Sequence, residues 1–209
     1  MRKTALFCAL MMTLALLPGC GGEKESRQEP ALALRTQFLA LKSCQAAASV
    51  TADYGDRTYT YEAVFSGDGL SGSMAVSAPE NIAGAVVTWG EGETALEIAG
   101  ARLDTGPLSA DGLSPADCFP LILESCCRGA MVSSCEETLD GAESLRVTFQ
   151  NPDLPADADS QVDVWADPDT YALRRAEVSK DGRTVIALDF TEFTFIMESS
   201  DPLSEHTQG

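Results

Sequence analysis

Apolar and polar residues alternate along most of this chain. Ala46, Ala48, Val50, Ala52 and Tyr54 take every second position, and Gly55-Asp56 then offers a turn. Tyr59, Tyr61, Ala63 and Phe65 alternate next with Thr58, Thr60 and Glu62, and Gly67-Asp68-Gly69 is a second turn. Met74 and Val76 carry a further strand up to Pro79. Val87 and Trp89 are separated from Leu96 and Ile98 by Gly90-Glu91-Gly92, which reads as a hairpin. A period of two is that of a strand with one buried face, and turn residues at each break predict an antiparallel meander.

The pattern resumes after residue 144. Leu145, Val147 and Phe149 alternate with Arg146, Thr148 and Gln150, and an acidic, proline-containing loop spans 151–160. Strands are expected over Val162–Asp167 and Tyr171–Val178. Asp181-Gly182 is a strong hairpin signal, and Thr184–Phe195 returns. In that last strand Ile186, Leu188 and Phe190 share one parity, whereas Phe193 and Phe195 have the other. A β-bulge near Thr191 would bring all five to one side and curl the sheet. Curling implies a partial barrel.

Two stretches read as helical. Leu34, Phe38 and Leu41 make one stripe over Ala31 to about Cys44. Ser114-Pro115-Ala116-Asp117 carries a capping serine, a first-turn proline and an acid three residues after the cap. Pro120 should kink or divide the helix that follows, and the apolar segment continues through Val132 as a helical cap. The expected fold is mainly β with helices (α+β): a curled antiparallel sheet forming an incomplete β-barrel, with an N-terminal helix and a helical cap.

The first twenty residues follow another pattern. Arg2 and Lys3 precede an uncharged, mostly apolar run, Thr4–Leu17, which ends in Leu17-Pro18-Gly19-Cys20. The run has the length of a signal-peptide core and is shorter than a bilayer-spanning helix. The quartet looks like a bacterial lipobox, in which the cysteine takes a diacylglyceryl group and becomes the first residue of the mature chain. The other reading is an ordinary signal peptide with Cys20 a plain cysteine. The expected organisation is a lipoprotein signal peptide (1–19), a flexible spacer from the lipidated cysteine (20–30), a single domain (31–196) and a polar tail (197–209). Ten spacer residues span about 17 Å as a coil, so the body is expected on the extracytoplasmic face of the cell membrane, close to the bilayer.

Charge narrows the partners. The chain has 14 basic and 32 acidic residues, a net of −18; losing Arg2 and Lys3 with the leader leaves 12 bases and a net of −20. Such a surface repels nucleic acid and anionic headgroups and suits apolar ligands, cations or basic proteins. A hydrophobic content of 44% is enough for a core, so the charge does not signal disorder.

Of seven cysteines, Cys8 belongs to the leader and Cys20 is assigned to lipid. Cys44, Cys118, Cys126, Cys127 and Cys135 are disulfide candidates in an exported chain, with at least one thiol left over and the connectivity open. No CxxC pair exists and the single histidine, His206, lies in the tail, so neither a metal site nor a cofactor is expected. A nucleophile–base pair is also missing, and no catalytic residue is assigned. Asp153, Asp157, Asp159 and Asp163 lack the glycine and closing glutamate of a calcium loop and read as a solvated acidic loop.

The segment Val164-Trp165-Ala166-Asp167-Pro168-Asp169-Thr170-Tyr171-Ala172-Leu173-Arg174-Arg175-Ala176-Glu177, followed by Asp181-Gly182 and Asp189-Phe190-Thr191-Glu192-Phe193, resembles the LolA/LolB-like lipoprotein-carrier superfamily. It looks especially like its lipobox-bearing GerS-type germination lipoproteins. The resemblance covers the last third of the chain and implies a half-open antiparallel barrel with helices across its mouth. It implies a non-enzymatic binding protein. One expectation is a lipid or lipoprotein acyl chain held on a concave face lined by Phe65, Met74, Trp89, Leu96, Phe149 and Trp165, where burial contributes about 25 cal/mol per Å². The alternative is a scaffold for an envelope or spore-cortex-processing enzyme, docked through the acidic surface.

Overall fold

The computed structural model describes residues 23–155 and 158–197. The expected leader, Cys20, His206, all of the tail after Met197 and Asp157 of the acidic loop lie outside the described residues.

The alternating segments form eleven strands of one antiparallel sheet. A helix, α1 (Glu23–Leu39), leads into β1 (Leu41–Asp53), β2 (Thr58–Gly67), β3 (Gly72–Ala78), β4 (Val86–Gly90), β5 (Glu93–Ile98) and β6 (Ala101–Asp104). A second helix, α2 (Cys118–Arg128), follows, then β7 (Met131–Leu139), β8 (Ala142–Gln150), β9 (Ser160–Ala166), β10 (Leu173–Lys180) and β11 (Arg183–Met197). The order across the sheet is β6-β5-β4-β3-β2-β1-β11-β10-β9-β8-β7. Two meanders are therefore joined where β1 pairs with β11, and the curled sheet stays unclosed. Four two-residue turns, Glu91-Gly92, Ala99-Gly100, Asp140-Gly141 and Asp181-Gly182, have positive φ at both positions, the geometry that suits the right-handed twist of a hairpin.

This topology dictates where the helices go. β6 and β7 lie at opposite edges, so the connection over 105–130 must cross the sheet, and it carries α2 across the concave face. Phe119 of α2 stacks on Phe65 of β2 at 4.4 Å between ring centroids and tilts against Phe190 of β11 at 6.4 Å. It thus bridges the strands on either side of β1. The inward residues of β1 are small (Cys44, Ala46, Ala48, Val50, Ala52) and leave room for that approach.

The expected bulge is present. Ala47 pairs with Glu192 and Ala48 with Phe190, which leaves Thr191 as the extra residue; its hydroxyl donates to the Ala47 carbonyl at 3.2 Å. Phe190, Phe193 and Phe195 all pack against the core with Ile186 and Leu188. Phe193 and Phe195 receive Phe38 of α1 at 6.1 and 5.2 Å. The bulge is what gives α1 an aromatic seat.

Expectations about both helices change. The first helix starts at Glu23, inside the stretch expected as a flexible spacer, where Glu, Lys, Arg and Gln favour helix up to Pro30. It ends at Leu39, because residues 41–44 pair with β11 and, at Cys44, with β2; the buried stripe is Ala31, Leu34 and Phe38. Pro120 neither kinks nor divides α2, since it sits in the first turn where a missing N–H breaks no helical bond. The cap also stops at Arg128, and Met131–Leu139 is a strand paired with β8 through the Asp140-Gly141 turn.

Candidate functional site

Five of the six proposed lining residues belong to the interior. Phe65 and Phe149 are fully buried, and Met74 and Trp89 nearly so; Leu96, paired with Val87, packs on the rim of the same cluster. Under α2 these side chains meet Phe119, Ile122 and Leu123, and they fill that part of the concavity.

Trp165 is a correction. It has the opposite parity to Val162, Val164 and Ala166, which face the core, so it lies on the outer face of the sheet. There it is flanked by guanidinium groups, Arg146 at 4.9 Å and Arg175 at 6.0 Å from its ring centroid, and its Nε1 donates to Glu137 Oε1. Asp163, proposed within the acidic loop, joins this outer lattice by accepting from Arg146 and from Thr148 Oγ1 at 2.6 Å. Among the described residues no group of three or more His, Cys, Asp or Glu can hold a metal ion.

The five body cysteines are free thiols where disulfides were expected. Cys44, Cys118 and Cys126 are buried and act as small apolar residues, while Cys135 lies exposed on β7. Burial pushes the Cys44 and Cys118 thiols up to about 12 and Cys126 well above its ordinary value, so none of the three is a nucleophile at neutral pH.

The open concave surface lies at the mouth of the sheet. A cleft of about 440 Å³ runs between the β2–β3 turn, the β4–β5 turn, the 105–117 connection and the first turns of α2. Its apolar floor includes Trp89 and Leu121, Leu70 stands exposed at its edge, and its rim carries Glu93, Asp117, Glu124 and Asp153. Local chemistry fixes each wall. Asp68 Oδ1 accepts from the Leu70 and Ser71 N–H groups at 2.9 and 2.8 Å and shapes the β2–β3 turn. Gly72 is required beside it, since a Cβ there would lie 2.6 Å from Trp89 Cζ2 and 2.5 Å from the Ser66 carbonyl. Asn151 Nδ2 donates to the Ala110 carbonyl at 2.9 Å and ties the crossing connection to the far side.

The rim carboxylates are incompletely compensated. Burial raises Asp117, with the Ser114 hydroxyl (2.5 Å) opposing that effect. Burial also raises Glu124, opposed by Arg128, which pairs with it at 2.9 Å and reaches Asp153 as well. One arginine thus serves two of the four acids. A second hollow of about 260 Å³ lies alongside, with Val87, Leu96, Pro107 and Ala116 in its wall.

No family model matches the chain, and no curated protein matches it. Solved structures similar to it include an uncharacterized conserved protein from Thermus thermophilus (11% identity, 82% of this chain and 88% of that chain, TM-score 0.47). A putative outer membrane lipoprotein-sorting protein domain from Vibrio parahaemolyticus is similar at 11% identity, with 85% and 94% covered and a TM-score of 0.45. The complex of the CwlD amidase with the GerS lipoprotein from Clostridioides difficile is similar at 12% identity, with 81% and 96% covered and a TM-score of 0.44.

Sequence reasoning missed the rim acids and the residue that places them. Glu93 comes from β5, Asp117 and Glu124 from the cap and body of α2, and Asp153 from the loop before β9, and only the crossing of α2 unites them. Arg35 of α1 donates from Nε to the Cys126 carbonyl at 3.3 Å and from Nη2 to the Gly129 carbonyl. It caps the C-terminus of α2 and so fixes the helix bearing Glu124. Its one sequence signal was a cation beside an apolar stripe.

Proposed function

We propose that the chain is an extracytoplasmic binding protein, held at the membrane by lipid on Cys20, that docks a basic segment of a partner protein in the acid-rimmed cleft and performs no catalysis itself. The observation that carries this reading is the cleft: four carboxylates rim an apolar floor, and one arginine, Arg128, pairs with only two of them, Glu124 and Asp153. A lysine or arginine entering it would relieve Asp117 and Glu124, which burial holds above their ordinary values, while its stem packs between Leu70 and Leu121. The net charge of −20 that the anchored chain carries once Arg2 and Lys3 leave with the leader steers such a partner toward the surface. By the resemblance to germination lipoproteins, the partner is an envelope- or cortex-processing enzyme.

A second reading is favoured by the neighbouring hollow, whose Val87, Leu96, Pro107 and Ala116 wall suits a short apolar group such as the end of an acyl chain. One experiment separates the two. Trp89 lines the cleft, so W165F leaves its emission as the reporter. Titration with an oligo-arginine peptide should shift that emission at low salt and lose the shift at high salt. Co-extracted lipid identified by mass spectrometry, with no response to the peptide, would establish the apolar reading instead.

A further inference from the structure

The hollow beside the cleft is walled by Val87, Leu96, Pro107 and Ala116, and Thr94 of β5 borders it as well. Thr94 pairs with Trp89 across the sheet and has the same parity as Leu96. The crossing connection leaves the sheet tied to its backbone: the Thr94 carbonyl accepts from the Thr105 N–H at 2.8 Å and from the Thr105 hydroxyl at 3.1 Å. The remaining hydroxyls at the hollow are engaged too, Ser114 with Asp117 Oδ2 at 2.5 Å and Ser109 with Asp111 Oδ1 at 2.8 Å. The Thr94 hydroxyl is the exception. Thr94 is 5% exposed, and its Oγ1 is buried with no hydrogen-bond partner. A buried hydroxyl left unpaired opposes folding, and a group that pairs with it removes that cost.

The geometry points to a specificity pocket that takes a tyrosine side chain lying next to the basic residue of the docked segment. This rests on the cleft as the site of that segment and adds what the hollow beside it selects. Continuity names the occupant. Asp117 and Ser109 border both the cleft and the hollow, so a chain whose basic side chain faces Asp117 brings the neighbouring side chain to the hollow's entrance. Size agrees with a single side chain: the hollow holds about 260 Å³, below the roughly 300–1,000 Å³ of pockets that enclose a whole small ligand.

Chemistry then selects among side chains. The wall calls for an apolar body and Thr94 for a hydrogen-bonding tip. Phenylalanine fills such a space without pairing, and serine pairs without filling it. Tyrosine does both, and its phenol can donate to Thr94 Oγ1 or accept from it. With no partner to hold it, the Thr94 hydroxyl is free to turn about χ1 and meet the incoming group.

Calorimetric titration of the full chain at low salt with three pentapeptides tests the inference. Each peptide has one residue, alanine, phenylalanine or tyrosine, between two pairs of arginines. The phenylalanine peptide should bind at least about tenfold tighter than the alanine one, because its ring leaves water for the hollow. The tyrosine peptide should gain roughly a further two- to tenfold from the Thr94 hydroxyl. T94V keeps the shape without the hydroxyl and should bring tyrosine level with phenylalanine. A116F fills the hollow and should remove the gain of either ring over alanine. Equal binding of all three peptides would overturn the pocket and leave the cleft standing, whereas no binding of any would overturn both. A tyrosine peptide no tighter than the phenylalanine one, or one whose advantage survives T94V, would overturn the selection by Thr94. Co-extracted lipid that the tyrosine peptide fails to displace would overturn a side chain as the hollow's occupant.

Discussion

Replacing Arg35 with methionine is expected to loosen the helical layer and with it the cleft. The substitution keeps an apolar stem but removes the guanidinium, which donates to the Cys126 and Gly129 carbonyls and lies 5.5 Å from the centroid of the Phe149 ring. Hydrogen bonds to a charged group contribute about 1.5–3 kcal/mol each, and Arg35 is half-buried, so the lower end applies to the pair. The contact with Phe149 adds about 0.5–1 kcal/mol. The total is about 2–4 kcal/mol, which for a chain of this size lowers Tm by about 5–15 °C. R35K keeps the charge without the planar fork and should fall between the two. Urea and thermal unfolding of the three proteins measure the difference. A loss below about 0.5 kcal/mol for R35M, or R35K equal to wild type, would refute the reasoning that this fork holds α2.

The other predictions rest on separate features. Deleting Thr191 removes the extra residue and leaves Phe190, Phe193 and Phe195 in strict alternation on the core face, so the seat of Phe38 survives and thermal unfolding should stay cooperative, whereas loss of the transition would show that the bulge itself is required; Thr191→Ala, which loses one hydrogen bond, should cost about 1 kcal/mol. Asp117 and Glu124 hold their protons more tightly folded than unfolded. Their contribution is full below the unfolded carboxylate value of about 4 and is lost as pH rises through the raised folded values. Asp167, lowered chiefly by the Thr170 N–H, does the reverse: its contribution is present above about 4 and is lost on acidification. Denaturation against pH should show E124Q flattening the first dependence and D167N the second. A chromogenic disulfide should label Cys135 quickly in the folded chain and reach Cys44, Cys118 and Cys126 only as it unfolds; labelling all at one rate would show an open core.

The sheet was legible because most of its strands bury one face, so Ala46 to Ala52 or Tyr61 to Phe65 show their burial in their spacing. The bulge at Thr191 was readable for the same reason, as a change of parity among large aromatic residues. β7 was not, because an edge strand with both faces partly exposed has no apolar alternation, although Arg128-Gly129 already marks the end of the helix before it. Asp140-Gly141 was the available signal for that hairpin. Trp165 misled because a large aromatic residue implies a core, whereas here two arginines cover it on the outer face. The cleft rim was invisible for a topological reason. Its acids become neighbours only when the chain crosses from one sheet edge to the other, and no local pattern encodes that path.

Charge reversal at the cleft tests the central proposal most directly. The affinity of an oligo-arginine peptide would be measured for the wild-type chain, for E93K at the cleft, and for D169K, an equal change of net charge at the exposed β9–β10 turn. The account predicts a loss of at least about tenfold for E93K and less than about twofold for D169K. Equal losses for both, or no loss for either, would contradict a docking site in the cleft.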